Sequence, residues 1–276
     1  MTTLLATLDG SVGTVDRSTG EFRRIATGPA FTDIAATEDG DVFGITFDDL
    51  YRIDANSGTI RRQGRLNGAT SFNGLAFDED DRLYAIAEDS TALFRIDPNT
   101  GTTTFAGSLG FEFFSSGDLV FDPDRDRLYA TSRGASSDVL FEIDLTSGGF
   151  VDDVDRVGSI GFRDVWGLAV ENGVLTGYTI NGQRLTIDPR TGNGTPTGQV
   201  FGLPGQIAGA AEFQGAEDSD IILNDDLLND FRDIQTRANG SLSFSICRMA
   251  TTACAWMPTS PNNFPAGCDR STATTQ

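Results

Sequence analysis

Short apolar runs alternate with polar turns rich in Gly and Asp along most of this chain. Residues 71–106 show the pattern most clearly. The run Ser71-Phe72-Asn73-Gly74-Leu75-Ala76-Phe77 ends in the acidic turn Asp78-Glu79-Asp80-Asp81. Arg82-Leu83-Tyr84-Ala85-Ile86-Ala87 follows, and after a polar turn Leu93-Phe94-Arg95-Ile96 leads into Asp97-Pro98-Asn99-Thr100-Gly101. Thr102-Thr103-Thr104-Phe105-Ala106 closes the unit. Runs of β-branched and aromatic residues bounded by Gly, Asp and Asn read as strands joined by hairpins. No stretch within these units holds the 3.6-residue period of a helix.

The unit recurs. A phrase Asp-x-x-[Ser/Thr]-Gly, preceded each time by Val or Ile, begins at Asp16, Asp54, Asp97, Asp144 and Asp188 and ends at Gly20, Gly58, Gly101, Gly148 and Gly192. A period of roughly 40 residues marks a repeat architecture. Asp and Ser/Thr side chains bond nearby backbone N–H groups, and Gly supplies the positive φ of a tight reversal. Each phrase is therefore predicted to be the hairpin turn between the last two strands of a unit.

Four-stranded antiparallel units repeated around an axis build a β-propeller. The predicted inner strands are Phe31–Ala35, Phe72–Ala76, Ser116–Val120, Val165–Ala169 and Ile207–Ala211, whereas the N-terminus starts at a second strand, Leu4–Leu8. The strand near residue 207 then completes the blade begun by residues 2–28, which closes the ring and removes its exposed edges. The expectation is an all-β chain with one five-bladed propeller over residues 1–213. Its blades fall at about 29–66, 67–110, 111–161, 162–205 and 2–28 with 206–213, and an irregular C-terminal extension spans 214–276. A sixth blade from residues 214–250 is the alternative.

The phrases Gly-Leu-Ala-Phe-Asp, Arg-Leu-Tyr-Ala and Ile-Asp-Pro-x-Thr-Gly resemble the repeats of NHL-, YVTN- and quinoprotein-like β-propellers. The resemblance covers residues 2–213 and implies the fold. Those families include surface proteins, protein-binding scaffolds, lactonases and dehydrogenases, so the resemblance implies no single activity.

Composition narrows the partners. The net charge is −20, and every basic residue is Arg. An acidic chain without Lys resembles the proteins of extreme halophiles, which implies a fold that loosens when salt no longer screens its self-repulsion. An acidic secreted protein from a GC-rich genome is the alternative. Nucleic acid is excluded as a partner because backbone binding needs a positive patch, and no Arg run exceeds a pair such as Arg23-Arg24 or Arg61-Arg62. Membranes are excluded likewise: no stretch approaches the roughly 20 apolar residues of a span. Met1-Thr2-Thr3-Leu4 carries no basic leader region, so the expected location is the cytoplasm or a particle released from the cell.

The chain changes character near residue 234. Cys247, Cys254 and Cys268 all lie beyond it, with Trp256 and Pro258, Pro261 and Pro265. The cysteine spacing matches no zinc motif, which leaves one disulfide with a free thiol or three thiols. The tail reads as a cap or docking arm, as a solvated terminus, or as a frame-slipped segment. Ile221–Phe231 is the one helix candidate.

Absence of His removes Ser-His-Asp and Cys-His nucleophile systems, and absence of Lys removes Schiff bases and Walker-type phosphate loops. Carboxylates with Ca²⁺ or Mg²⁺, or paired carboxylates for glycoside cleavage, remain. No cofactor is expected, with Ca²⁺ the exception. Its candidates are Asp78, Asp80, Asp122, Asp124 and Asp126, in turns that lack the Gly and Glu of an EF-hand loop and read first as solvated hairpins. Asp33, Asn73, Asp118 and Asp164 lie at the entrances of inner strands and are expected near the central channel. Lactonase-type propellers hold a divalent ion with Glu, Asn and Asp, and five-bladed glycosidases use three carboxylates on inner strands. The register here, Asp33, Gly74, Asp118, Gly167 and Gly209, matches neither.

Two functions follow. The first is a non-catalytic binding or structural module for a protein partner or a glycan, with Phe111, Phe113, Phe114, Phe162 and Trp166 as contact residues. Its extension would dock it into a homo-oligomer or a larger extracellular or virion assembly. The second is a divalent-metal hydrolase using Asp33, Asp118 and Asp164.

Overall fold

A computed structural model of the chain describes residues 2–213. The expectations for the extension (cap, helix, cysteine pairing, sixth blade) lie outside these residues. Blade 1 begins with β1 (Thr2–Thr7), β2 (Ser11–Val15) and β3 (Phe22–Thr27). Blade 2 is β4 (Asp33–Ala36), β5 (Val42–Ile45), β6 (Asp49–Ile53) and β7 (Ile60–Arg65). Blade 3 is β8 (Phe72–Phe77), β9 (Leu83–Ala87), β10 (Ala92–Ile96) and β11 (Thr103–Ser108). Blade 4 is β12 (Ser115–Asp122), β13 (Arg127–Ser132), β14 (Val139–Leu145) and β15 (Val151–Ser159). Blade 5 is β16 (Val165–Glu171), β17 (Val174–Thr179), β18 (Gln183–Ile187) and β19 (Gly194–Gln199), and β20 (Ile207–Phe213) returns to blade 1. The five sheets are four-stranded and antiparallel, and the first has the order β20-β1-β2-β3. Thr2 pairs with Phe213 and Ala6 with Gly209 at that closure.

Burial follows radial position. Every residue of β9 is buried, whereas β15 and β19 on the rim have no buried residue. Apolar clusters fill each gap between neighbouring blades; the one between blades 5 and 1 joins Tyr178, Ala169 and Val200 to Leu5, Phe22 and Ile207. Burying one such Leu, Ile or Phe side chain contributes about 1.5–3 kcal/mol, so the ring is held by the packing of sheet on sheet.

The repeated phrase forms the predicted turn in four copies. In the first, the Ser18 and Thr19 N–H groups donate to Asp16 Oδ1 at 2.8 and 3.1 Å, and Gly20 N–H donates to the Asp16 carbonyl at 2.7 Å. Asp54, Asp97 and Asp188 repeat the pattern. These hydrogen bonds hold all four carboxyls below the usual aspartate value. The motif glycine is also a joint between blades. A Cβ on Gly192 would stand 2.7 Å from the carbonyl oxygen of Gly158 in blade 4, and one on Gly101 would stand 2.9 Å from Gly64 in blade 2.

The fourth copy corrects the expectation for Asp144 and Gly148. Its turn lies further on, closed by Thr146 N–H to the Phe150 carbonyl, and its left-handed glycine is Gly149. Strands β14 and β15 are longer than their counterparts, which leaves Asp144 in the ladder opposite Asp153. There burial raises its carboxyl where the turn aspartates are lowered.

Candidate functional site at the channel mouth

The inner strands β4, β8, β12, β16 and β20 enter from the same face in a common register. Their first layer is Thr32, Asn73, Gly117, Trp166 and Ala208, and all five line a cavity of about 580 Å³. The next layer is Asp33, Gly74, Asp118, Gly167 and Gly209, the register that the sequence shows.

Asp33 and Asp118 do not line an open channel, which corrects the expectation for them. Both are fully buried beneath the cavity floor. Asp33 accepts the Ile34 N–H at Oδ1 (2.7 Å) and the Leu75 N–H at Oδ2 (2.6 Å). Asp118 accepts the Leu119 N–H at Oδ1 (2.6 Å), and at Oδ2 the N–H groups of Leu168 (2.5 Å) and Ala210 (3.2 Å). Those five donors come from the five inner strands, one each, so two side chains tie every blade to the axis. Gly209 gives the Asp33 carboxyl its room, since a Cβ there would stand 2.0 Å from Oδ1; a Cβ on Gly74 would meet Ile86, and one on Gly167 would meet Tyr178 and Ala210. Burial, and then the facing charge of Asp118, push Asp33 well above the usual carboxylate range. Burial also raises Asp118, against hydrogen bonds from Asp33 and the backbone.

Asp164 sits apart on the rim of the mouth, exposed and in the left-handed region at φ 55°. The three carboxylates proposed for hydrolysis are thus split into a buried pair and one rim residue. The acidic turns are internally engaged. Asp78 accepts from Arg82 Nε at 2.6 Å and from Tyr84 Oη at 3.2 Å, Asp80 pairs with Arg82 at 2.6 Å, and Asp122 pairs with Arg125 at 2.5 Å. Asp124 and Asp126 are exposed at the same hairpin.

The mouth draws residues from all five blades. Asp138, at the head of the β14 hairpin, is buried; its Oδ2 accepts Ser116 Oγ–H and Val165 N–H, each at 2.8 Å. Its Oδ1 accepts no hydrogen bond among the described residues. Burial raises this carboxyl above its ordinary value. Asn73 accepts Ser115 Oγ–H at 2.7 Å through its oxygen. Trp166 lies across Gly117, where a Cβ would stand 3.0 Å from the indole. Glu88 pairs with Arg133 on the rim, Arg163 donates to the Ala135 carbonyl at 2.7 Å, and Phe47 is half exposed.

Of the predicted contact residues, Trp166 lines the cavity. Phe162 is half-buried against the apolar cluster between blades 4 and 5. Phe111 and Phe114 are exposed on the loop before β12. Phe113 is not a contact residue: it is fully buried, edge-on to Phe141 at 5.3 Å between ring centres. Sequence reasoning missed Asp138, Ser116, Glu88, Arg133, Arg163 and Phe47. The signal was positional, since Phe47, Glu88 and Arg133 occupy the second-to-third-strand hairpins of successive units.

A second cavity of about 610 Å³ lies between blades 4 and 5, where Arg125, Arg127, Arg156 and Arg190 meet Glu142 and Asp155. The sequence shows these arginines as single residues, and the fold gathers four of them.

Five four-stranded blades around a plugged axis, with a mixed polar and aromatic mouth, define a five-bladed β-propeller. Within that class the chain belongs to the family described as Repeat of unknown function (DUF6923), whose model matches residues 49–224. A search of the curated proteins finds no significant match. Among solved structures, a chain of the nidogen/laminin complex aligns at 14% identity and a TM-score of 0.55, over 77% of this chain and 82% of that chain. A gluconolactonase from Xanthomonas campestris aligns at 17% identity and a TM-score of 0.52, over 75% and 74%. Both likenesses are of fold.

Proposed function

We propose that this protein is a non-catalytic binding module whose ligand seat is the channel mouth, and that the ligand is a glycan. The observation that carries the reading is Asp138: its Oδ2 is held by Ser116 and Val165, while its Oδ1 accepts no hydrogen bond among the described residues and stays accessible to solvent, in the same cavity as the Trp166 indole. A sugar ring offers an apolar face to an indole and hydroxyls to a carboxyl, an amide and guanidinium groups. Asn73, Arg133 and Arg163 supply the latter two. Pockets of this kind, with an apolar wall and a few convergent polar groups, are the usual small-ligand seats.

What weighs against the hydrolase reading is the engagement of Asp33 and Asp118 by backbone N–H groups at zero exposure. Attachment of the module to a larger assembly through residues 214–276 belongs to the same proposal. The test is a titration with a panel of oligosaccharides in multimolar KCl, read by tryptophan fluorescence and calorimetry. Trp166→Ala and Asp138→Asn are expected to weaken binding at least tenfold, while Phe105→Ser on the exposed outer strand leaves it unchanged. Binding that survives both mouth variants sinks the assignment, as does saccharide turnover without loss in either.

A further inference from the structure

We infer that Asp33 and Asp118 share one proton in the closed ring, carried by Asp33 as an O–H that Asp118 accepts, so that closing the propeller and taking up a proton are one event.

The geometry leads there in three steps. First, both side chains are wholly removed from water and converge from blades 2 and 4 on the same stretch of β20: Asp118 Oδ2 accepts the Ala210 N–H at 3.2 Å, and a Cβ on Gly209 would stand 2.0 Å from Asp33 Oδ1. Two contacting carboxylates in a dry site cannot both ionise, because their repulsion there is unscreened. Second, among the described residues no cation offsets the pair. The strands packed against it are β8, β16 and β20, which present Asn73, Leu75, Gly167, Leu168, Gly209 and Ala210, and none of these carries charge. A further buried carboxyl, Asp138, lies in the mouth above and accepts the Ser116 Oγ–H. The arginines of the mouth are held elsewhere, Arg133 by Glu88 and Arg163 by the Ala135 carbonyl.

Third, the donors divide unequally. Backbone N–H groups favour the ionised form of a carboxyl that accepts them. Asp118 accepts three and Asp33 two. The negative charge therefore belongs on Asp118 and the proton on Asp33. Two of the donors to Asp118, Leu168 and Ala210, belong to blades 5 and 1, the last parts of the ring to be made. The site is incomplete until β20 is in place, and in the open chain both carboxyls ionise independently in water.

The deciding measurement is carbon NMR of the full chain, labelled at aspartate carboxyl carbons and titrated from acid to neutral pH in concentrated KCl. One resonance is expected to keep its protonated shift at pH 7 while the turn aspartates ionise at low pH. That resonance should vanish in Asp33→Asn and in Asp118→Asn. If either variant fails to fold, the wild-type titration decides alone. Every aspartate carboxyl ionised at pH 7 in the folded wild type would overturn the inference, as would a refolding reaction whose heat is independent of the buffer's ionisation enthalpy.

Discussion

Gly209 lies so close to Asp33 that a Cβ on the glycine would stand 2.7 Å from the Asp33 Cα, and closer still to its carboxyl. Blades 1 and 2 touch through backbone at that point. Gly209→Ala forces one inner strand outward. Overpacking of this kind costs about 1–3 kcal/mol, and the rigid neighbour places the loss at the upper end. Denaturant unfolding of the variant should show a lower midpoint with an unchanged slope.

The turn glycines allow strain to be separated from packing. Gly192 has φ 77° and meets Gly158, whereas Gly161 has φ 81° and a Cβ there would meet nothing within 4 Å among the described residues. Gly161→Ala should cost only the left-handed penalty of roughly 1–2 kcal/mol. Gly192→Ala should cost visibly more, since the added methyl also meets the carbonyl of the neighbouring blade. Equal losses in thermal unfolding would show that the joint between blades contributes nothing.

Phe111 and Phe113 stand two positions apart and have opposite surroundings. Phe111 is 85% exposed and Phe113 is buried against Phe141. Phe113→Ala is expected to destabilise by about 3–5 kcal/mol. Phe111→Ser should fall within about 0.5 kcal/mol of wild type. Urea titrations of the two variants side by side check the assignment.

Stability against pH carries two opposed trends. Asp16, Asp54, Asp97 and Asp188 are held below the ordinary aspartate value of about 3.8 by turn hydrogen bonds. Their contribution is present above that value and is lost as pH falls through their folded values. Asp33 is raised, so its contribution is complete below 3.8 and is lost as pH rises through its folded value. The melting temperature in constant multimolar KCl is therefore expected to peak on the acid side of neutrality, at roughly pH 4–6. A peak at pH 8 or above contradicts this.

A net charge of −20 also predicts a salt response. Dilution from multimolar KCl to low-salt buffer should lower the melting temperature, as the screening length grows from about 3 Å at 1 M to about 10 Å at 0.1 M and the acidic surface repels itself. A midpoint indifferent to salt would remove the case for a halophile-type surface.

The blades were legible because a turn writes its own chemistry. Asp54-x-x-Ser57-Gly58 shows both the side-chain acceptor and the residue with positive φ. The fourth copy misleads because Gly148 and Gly149 are both glycine, and only the length of β14 and β15 selects the second. The register Asp33, Gly74, Asp118, Gly167, Gly209 was visible as letters. What it builds was not, because the meeting of Asp33 with Asp118 depends on two blades that are not neighbours. Asp138 and Ser116 carry no motif, and their contact spans 22 residues. The arginine groove is hidden for the same reason: Arg190 comes from the next blade. Charge patterns along a chain report its runs, and a ring gathers residues that no run contains.

The pairing of β20 with β1 also sets a schedule. Strand β1 leaves the ribosome before the other strands of the ring, and its inner edge has no partner until Ile207–Phe213 has been made. Blades 2, 3, 4 and 5 can each form from contiguous chain, but blade 1 must wait for both ends. Contacts that distant in sequence form slowly, because the loop they close is long and its entropy is lost before the contact repays it. Until then the open ring presents two sheet faces and a free strand edge to its surroundings. The last step of folding, rather than any single blade, is where this chain is most exposed to mispairing with another copy of itself.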